Sequence, residues 1–155
     1  MKWILLLISH ALVGIAGFSL GVYLLPILIQ PDAPPMALVE SAIQKASYSG
    51  NFERSRQDSD FLHWGEGSVA VSADTIVFVG ELAPGPDYKL YLSNRFIETE
   101  SEFLSNKAQM TYVGDVKTFD RFTLTLPHDV DIEEFNTVIV WCETFEQFIT
   151  SARYK

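Results

Sequence analysis

The stretch from Ile4 to Ile29 contains no aspartate, glutamate, lysine or arginine, and this absence constrains the chain more than any other feature. As an α-helix the stretch would be about 39 Å long, more than the roughly 30 Å of a membrane's hydrocarbon layer. A cleavable signal peptide has a shorter apolar region that ends at small residues, whereas this run continues past Leu25 and ends at Gln30. We therefore expect residues 1–30 to form an uncleaved transmembrane anchor that contacts membrane lipid.

The charges that flank this run predict its orientation. Lys2 precedes the run, and the first charged residue after it is Asp32. Positive charge favours the cytoplasmic side of a membrane-spanning helix. We expect a single-pass protein of the cytoplasmic membrane, with the C-terminal domain outside the cytoplasm.

The part beyond the anchor is acidic. Of the 11 basic residues only Lys2 lies in the anchor, so the exported part has 10 basic and 20 acidic residues and a net charge near −10. Such a surface repels phosphate backbones, so nucleic acid is excluded as a partner. About 125 residues follow the anchor, which is enough for one ordinary domain.

Proline residues and turn formers divide this exported part. Pro31, Pro34 and Pro35 stiffen the exit from the membrane, and residues 31–46 are expected to form a spacer or a short helix. Residues 47–155 break into short β-like segments separated by glycine, proline, asparagine and aspartate. The candidate strands are Gly67–Val71, Thr75–Leu82, Tyr88–Leu92, Gln109–Val113, Arg121–Leu126, Thr137–Phe145 and Gln147–Ser151. This pattern predicts an all-β domain, either an antiparallel β-sandwich or a closed barrel.

Cys142 is the only cysteine of the chain, so it cannot form an internal disulfide. On a strand it shares one face with Val138 and Val140, while Trp141 points to the other face. By this alternation the thiol is either a small hydrophobic group in the core or a redox or metal-binding group. The residues themselves leave both interpretations open.

The neighbours of Cys142 restrict its chemistry. A nucleophilic thiolate forms beside cations, histidine or helix N-termini, but the local sequence supplies Glu143 and Glu146. Metal or haem coordination tolerates nearby carboxylates because the cation itself drives deprotonation of the thiol. His63 and His128 are the imidazoles of the exported part, and with Cys142 they would make a nitrogen and sulfur set suited to copper or zinc. None of the three shows ligand spacing.

The order of these segments resembles the DM13 (DM thirteen) family of proposed electron-transfer domains, over about Ser47 to Lys155. The resemblance is carried by Ser49-Gly50-x-Phe52, His63-x-Gly65-x-Gly67, Gly85-Pro86-Asp87-Tyr88-x-Leu90-Tyr91-Leu92, Tyr112, Leu126-Pro127-x-x-Val130-Asp131 and Val138-x-Val140-Trp141-Cys142-Glu143-x-Phe145. It implies a β-sandwich whose single cysteine is the proposed redox residue. In that arrangement His63 is the expected partner of Cys142, and Asp87 and Trp141 shape the site.

Two functional hypotheses follow from the sequence and the resemblance. In the first, the membrane-anchored domain has a redox or electron-transfer role centred on Cys142, with a redox partner protein and without turnover of its own, so its status as an enzyme stays open. No cofactor is identified, and a metal ion or haem held by Cys142 and His63 is the class to test. In the second, the domain is a non-enzymatic interaction or assembly module of the cell envelope, and Cys142 is structural.

Overall fold

The computed structural model describes all residues, 1–155, and begins with two helices. Helix α1 spans Lys2–Ile29, and its most apolar window has a mean hydropathy of 2.3. It is the one helix long and apolar enough to cross a membrane, which supports its role as an anchor. Helix α2 spans Met36–Gln44, within the segment predicted as a spacer or short helix.

Eight strands form two antiparallel four-stranded sheets. They are β1 (Tyr48–Phe52), β2 (Gly65–Val71), β3 (Thr75–Leu82), β4 (Tyr88–Ser93), β5 (Thr111–Val116), β6 (Arg121–Thr125), β7 (Thr137–Cys142) and β8 (Gln147–Arg153). The strand orders are β1-β2-β3-β6 and β5-β4-β7-β8. The predicted β-sandwich is therefore confirmed, and the alternative of a closed barrel is wrong because the sheets remain separate.

Strand β7 lies at the centre of the packing. Val138, Val140 and Cys142 point inward, into a core cluster that contains residues from both sheets. Ile139 and Trp141 point outward, into a second cluster beneath helix α3 (Glu100–Asn106). The predicted alternation along β7 is thus confirmed, and it places the thiol between the sheets.

The structure differs from the predicted segments most clearly at three places, and in addition strand β5 spans Thr111–Val116 where Gln109–Val113 was expected. Tyr48–Phe52 contains Ser49-Gly50-Asn51, which predicts a turn, but it forms edge strand β1 paired with β2. Helix α3 was not expected, because Phe103 is its one buried residue and the apolar pattern is too sparse to indicate a helix. Strand β7 ends at Cys142 and not at Phe145, because the chain turns at 143–146, where Glu146 has a φ of 51°.

The segment between anchor and domain is fastened to the sandwich. Helix α2 lies on the outer face of the first sheet, where Val39 packs against Ala70 and Val77. Arg121 Nε donates a hydrogen bond to the Pro34 carbonyl oxygen at 2.8 Å. Pro26, near the end of α1, is buried. These contacts fasten α2 and the connection that precedes it to the sandwich.

Candidate functional site

A cavity of about 550 Å³ lies at the end of the sandwich that faces α1. Its walls are mostly apolar, and no lysine, arginine, aspartate or glutamate lines it. The domain contributes Leu62, His63, Pro84, Gly85, Pro86, Tyr88, Cys142 and Phe145, and α1 contributes residues between Ala16 and Tyr23. The cavity thus brings together Cys142 and His63, which are far apart in the sequence.

Cys142 lines this cavity, at the end of β7. Its residue surface is 2% exposed, and it pairs across the sheet with Tyr88. Burial raises the pKa of the thiol, while the main-chain N–H groups of Phe145, Asp87 and Thr144 act in the opposite direction without cancelling it. At neutral pH the group is therefore a protonated thiol that borders an apolar space.

Asp87 holds the turn that follows Cys142. Its carbonyl oxygen accepts a hydrogen bond from the Glu143 N–H at 2.9 Å, and its Oδ2 accepts one from Thr144 Oγ1 at 2.8 Å. Lys89 Nζ lies 2.9 Å from Asp87 Oδ1. Burial acts to raise the pKa of Asp87, but the hydrogen bonds from Lys89 and Thr144 outweigh it and lower the pKa. Asp87 is therefore an ionised group that keeps the turn in place.

His63 is oriented by Asp60. The imidazole Nδ1 lies 3.1 Å from Asp60 Oδ2, and the His63 main-chain N–H donates to Asp60 Oδ1 at 2.7 Å. Burial opposes a low pKa for Asp60, yet the hydrogen bonds from His63 and from main-chain N–H groups lower it, so Asp60 is a carboxylate. Because Nδ1 faces Asp60, Nε2 is the imidazole nitrogen left for a proton or a ligand.

Trp141 occupies the opposite face of β7 and does not line the cavity. Its ring stacks on that of Phe103, with centroids 4.0 Å apart and an interplanar angle of 12°. The indole Nε1 is buried and has no hydrogen-bond partner. Trp141 therefore supports the strand that carries Cys142 from behind, and its effect on the cavity is indirect.

The side chains around Cys142 do not form a complete protein metal site. His128 is exposed in the loop after β6 and does not line the cavity. No group of three or more histidine, cysteine, aspartate or glutamate side chains has an arrangement that could hold a metal ion. The three or four protein ligands usual for zinc or copper are thus not assembled. Cys142 and His63 provide two donors at most.

Residues that the sequence did not single out complete the cavity. A Cβ atom at Gly85 would lie 2.3 Å from Tyr88 Cε1, so only glycine allows the ring to pack here. Burial raises the pKa of Tyr88, and its hydroxyl makes no hydrogen bond to the protein. The turn Pro84-Gly85-Pro86-Asp87 was visible in the sequence, but its closeness to Cys142 depends on the pairing of β4 with β7.

Comparison with known proteins identifies the domain. The family described as Electron transfer DM13 matches residues 57–154, which is 98 of the 155 residues. No curated protein and no solved structure matches the chain. The matched range includes Cys142, His63, Asp87 and Trp141. Because the match covers more than half of the chain, this protein belongs to the DM13 family.

Proposed function

We propose that this protein is a membrane-anchored electron-transfer domain in which Cys142 is the redox-active group. The observation that supports it best is the position of Cys142 on the wall of a cavity that also contains His63. A thiol sealed on all sides by aliphatic groups would not suit this role. Family membership implies an electron-transfer role for the domain as a whole, and the choice of Cys142 is ours.

The two side chains have complementary tasks in this proposal. Removal of one electron from the Cys142 thiol also releases its proton, because a thiyl radical is neutral. The Cys142 thiol makes no hydrogen bond to His63, so the proton reaches Nε2 of His63 across the cavity that both side chains line, while Nδ1 is engaged with Asp60. The electron passes to a redox partner protein that acts as the oxidant. Burial and the raised pKa keep the thiol protonated and shield it from bulk oxidants until that partner is present.

A bound cofactor is the alternative source of the electron within this proposal. Cys142 and His63 would be its ligands, as the two donors on the cavity wall. A bound metal ion or haem iron would supply a reversible one-electron couple at a potential set by these ligands. The domain would act outside the cytoplasmic membrane and would pass electrons without turnover of its own.

Metal analysis and visible absorption of the full-length protein test the proposal, with Cys142→Ser as the comparison. A metal or chromophore that is present in the wild type and lost in the variant supports ligation by Cys142. A colourless, metal-free wild type whose reaction with one-electron oxidants matches that of Cys142→Ser would contradict the proposal.

A second candidate is a non-enzymatic interaction or assembly module of the cell envelope. The burial of Cys142 in the inner core cluster favours it, because a small apolar role is sufficient to explain a buried thiol. In that case Cys142→Ala should leave redox behaviour unchanged and lower only stability. Capture of a stable protein partner whose binding does not depend on Cys142 would support this second function.

A further inference from the structure

We propose that the cavity beside Cys142 binds a membrane-dissolved molecule of the quinone class. The inference rests on the proposed electron-transfer function for the redox character of the ligand. The other properties of the ligand, namely its source, its lack of charge and its carbonyl oxygens, follow from the position and the lining of the cavity.

The length of α1 places the cavity at the membrane surface. The helix has 28 residues, which corresponds to about 42 Å, and the hydrocarbon layer takes up about 30 Å of it. If the helix starts at the cytoplasmic boundary, about eight residues at its C-terminal end extend beyond the hydrocarbon. On this count Ala16 to Leu20 lie in the outer part of the hydrocarbon layer and Val22 and Tyr23 lie just beyond it, so the α1 wall of the cavity spans the outer boundary. Tyr23 belongs to the residue types that concentrate at membrane interfaces.

The domain is held in this position. Only residues 30–35 separate α1 from α2, and Pro31, Pro34 and Pro35 restrict this connection. The hydrogen bond from Arg121 to Pro34 and the burial of Pro26 attach both ends of the connection to the sandwich. These two contacts and the short connection limit how far the domain can move from the outer end of α1.

The rim of the cavity is apolar and exposed. Phe61 is 89% exposed next to Leu62, and Phe145 is 47% exposed on the turn after Cys142. Solvent-exposed aromatic and aliphatic groups on adjacent loops are a feature of membrane-contacting surfaces. Their continuity with the apolar anchor gives a lipid-soluble molecule a direct route from the bilayer into the cavity.

The lining selects the kind of molecule. No charged side chain lines the cavity, so an anionic lipid headgroup would find no countercharge there. Besides the Cys142 thiol, the polar groups on the domain wall are the imidazole of His63 and the hydroxyl of Tyr88. The Tyr88 hydroxyl can donate a hydrogen bond to a carbonyl oxygen, and Nε2 of His63, whose Nδ1 is engaged with Asp60, can accept one from the hydroxyl of the reduced quinol. An uncharged ring with carbonyl oxygens and an apolar tail matches this combination, as a quinone does.

A binding experiment with the full-length chain in lipid nanodiscs tests this proposal. The probe is a benzoquinone that carries a decyl tail and has no free ring carbon, so that the thiol cannot add to the ring. We expect about one quinone per chain above the level retained by empty nanodiscs. Tyr88→Phe should weaken binding about fivefold, since it removes one hydrogen bond.

A matched pair of variants examines the wall. Phe145→Ser removes a side chain that is 47% exposed at the rim, and Leu104→Ser removes one that is 46% exposed on α3, on the far side of the second sheet. We expect Phe145→Ser to weaken binding about tenfold and Leu104→Ser to leave it unchanged. Equal effects of the two variants, or no retention above empty nanodiscs, would overturn the proposal. Equal competition by decylbenzene, which lacks carbonyl oxygens, would also overturn it.

Cys142→Ser separates this proposal from the proposed function. The variant keeps the size of the side chain, so quinone binding should persist while electron exchange is lost. Binding that fails while Cys142 remains redox-active would refute the quinone site alone. Binding that persists while electron exchange is the same in wild type and variant would refute the role of Cys142 and leave the quinone site intact.

Discussion

Replacement of Gly85 by alanine tests the packing of Tyr88 in the cavity wall most directly. The new Cβ would lie 2.3 Å from Cε1, 2.4 Å from Cζ and 2.5 Å from the hydroxyl oxygen of Tyr88. The Tyr88 ring is in the core, with edge-to-face contact to Phe119 at a centroid distance of 6.1 Å, so the core side offers no room. The ring must therefore shift into the cavity. Overpacking of this kind costs about 1–3 kcal/mol.

Thermal unfolding of the full-length chain in detergent measures this cost. A loss of about 2 kcal/mol lowers Tm by roughly 5–10 °C for a domain of this size. Gly114→Ala is the matched control, because its Cβ would meet the Leu124 Cδ2 methyl at 3.3 Å, a contact that a flexible side chain can relieve. We expect Gly114→Ala to change Tm by less than about 3 °C. Equal Tm values for wild type and Gly85→Ala would refute the packing of Tyr88 on Gly85.

Three further predictions concern titrating groups. Burial raises the pKa of Cys142, so iodoacetamide should modify it more slowly than free cysteine at pH 7. The rate should also continue to increase with pH above the range in which ordinary thiols ionise. Modification as fast as that of free cysteine would contradict the burial of Cys142. Burial, followed by the hydrogen bond to Glu143, raises the pKa of Tyr91 to about 12; Glu143→Gln should lower it, as ultraviolet difference titration against Tyr91→Phe would show, and an unchanged pKa would refute the contact. The pKa of Asp87 is lowered in the fold, so its contribution is complete above the unfolded-state pKa and is lost as pH falls through the folded-state pKa. Asp87→Asn should therefore cost about 1 kcal/mol at pH 7 and progressively less in acid, measured by urea unfolding, and a difference independent of pH would oppose this.

The alternation of side chains along β7 could be predicted because it depends on strand geometry alone. Val138, Val140 and Cys142 point to the core as their spacing requires. The same rule indicates that Trp141 points away from Cys142, which agrees with its place beneath α3. Local patterns of this kind need no knowledge of the tertiary fold.

The segments that could not be predicted depend on distant partners. Gly50 indicates a turn in isolation, but a Cβ there would lie 2.4 Å from the Arg153 carbonyl oxygen, so glycine allows close approach of β1 to β8. Helix α3 depends on the stacking of Phe103 against Trp141 and on its cap, in which Thr99 Oγ1 accepts from the Glu102 N–H. Neither feature follows from the periodicity of the segment itself.

The candidate site was predictable only in part. Cys142 was evident as the single cysteine, and His63 was indicated by the resemblance to the family and not by any ligand spacing. The cavity that joins them is made by loops after β1, after β3 and after β7, together with α1. Sequence reasoning could not place Tyr88 or Phe145 at this cavity, because their neighbours are set by the pairing of β4 with β7 and by the turn at 143–146.

Mediated redox titration of the full-length protein tests the role of Cys142 most directly. The number of electrons exchanged per chain is counted for wild type and for Cys142→Ser, with thermal unfolding used to show that both are folded. We predict reversible exchange of one electron in the wild type and none in the variant. Equal exchange in both proteins, or no exchange in the wild type, would contradict an electron-transfer role for Cys142.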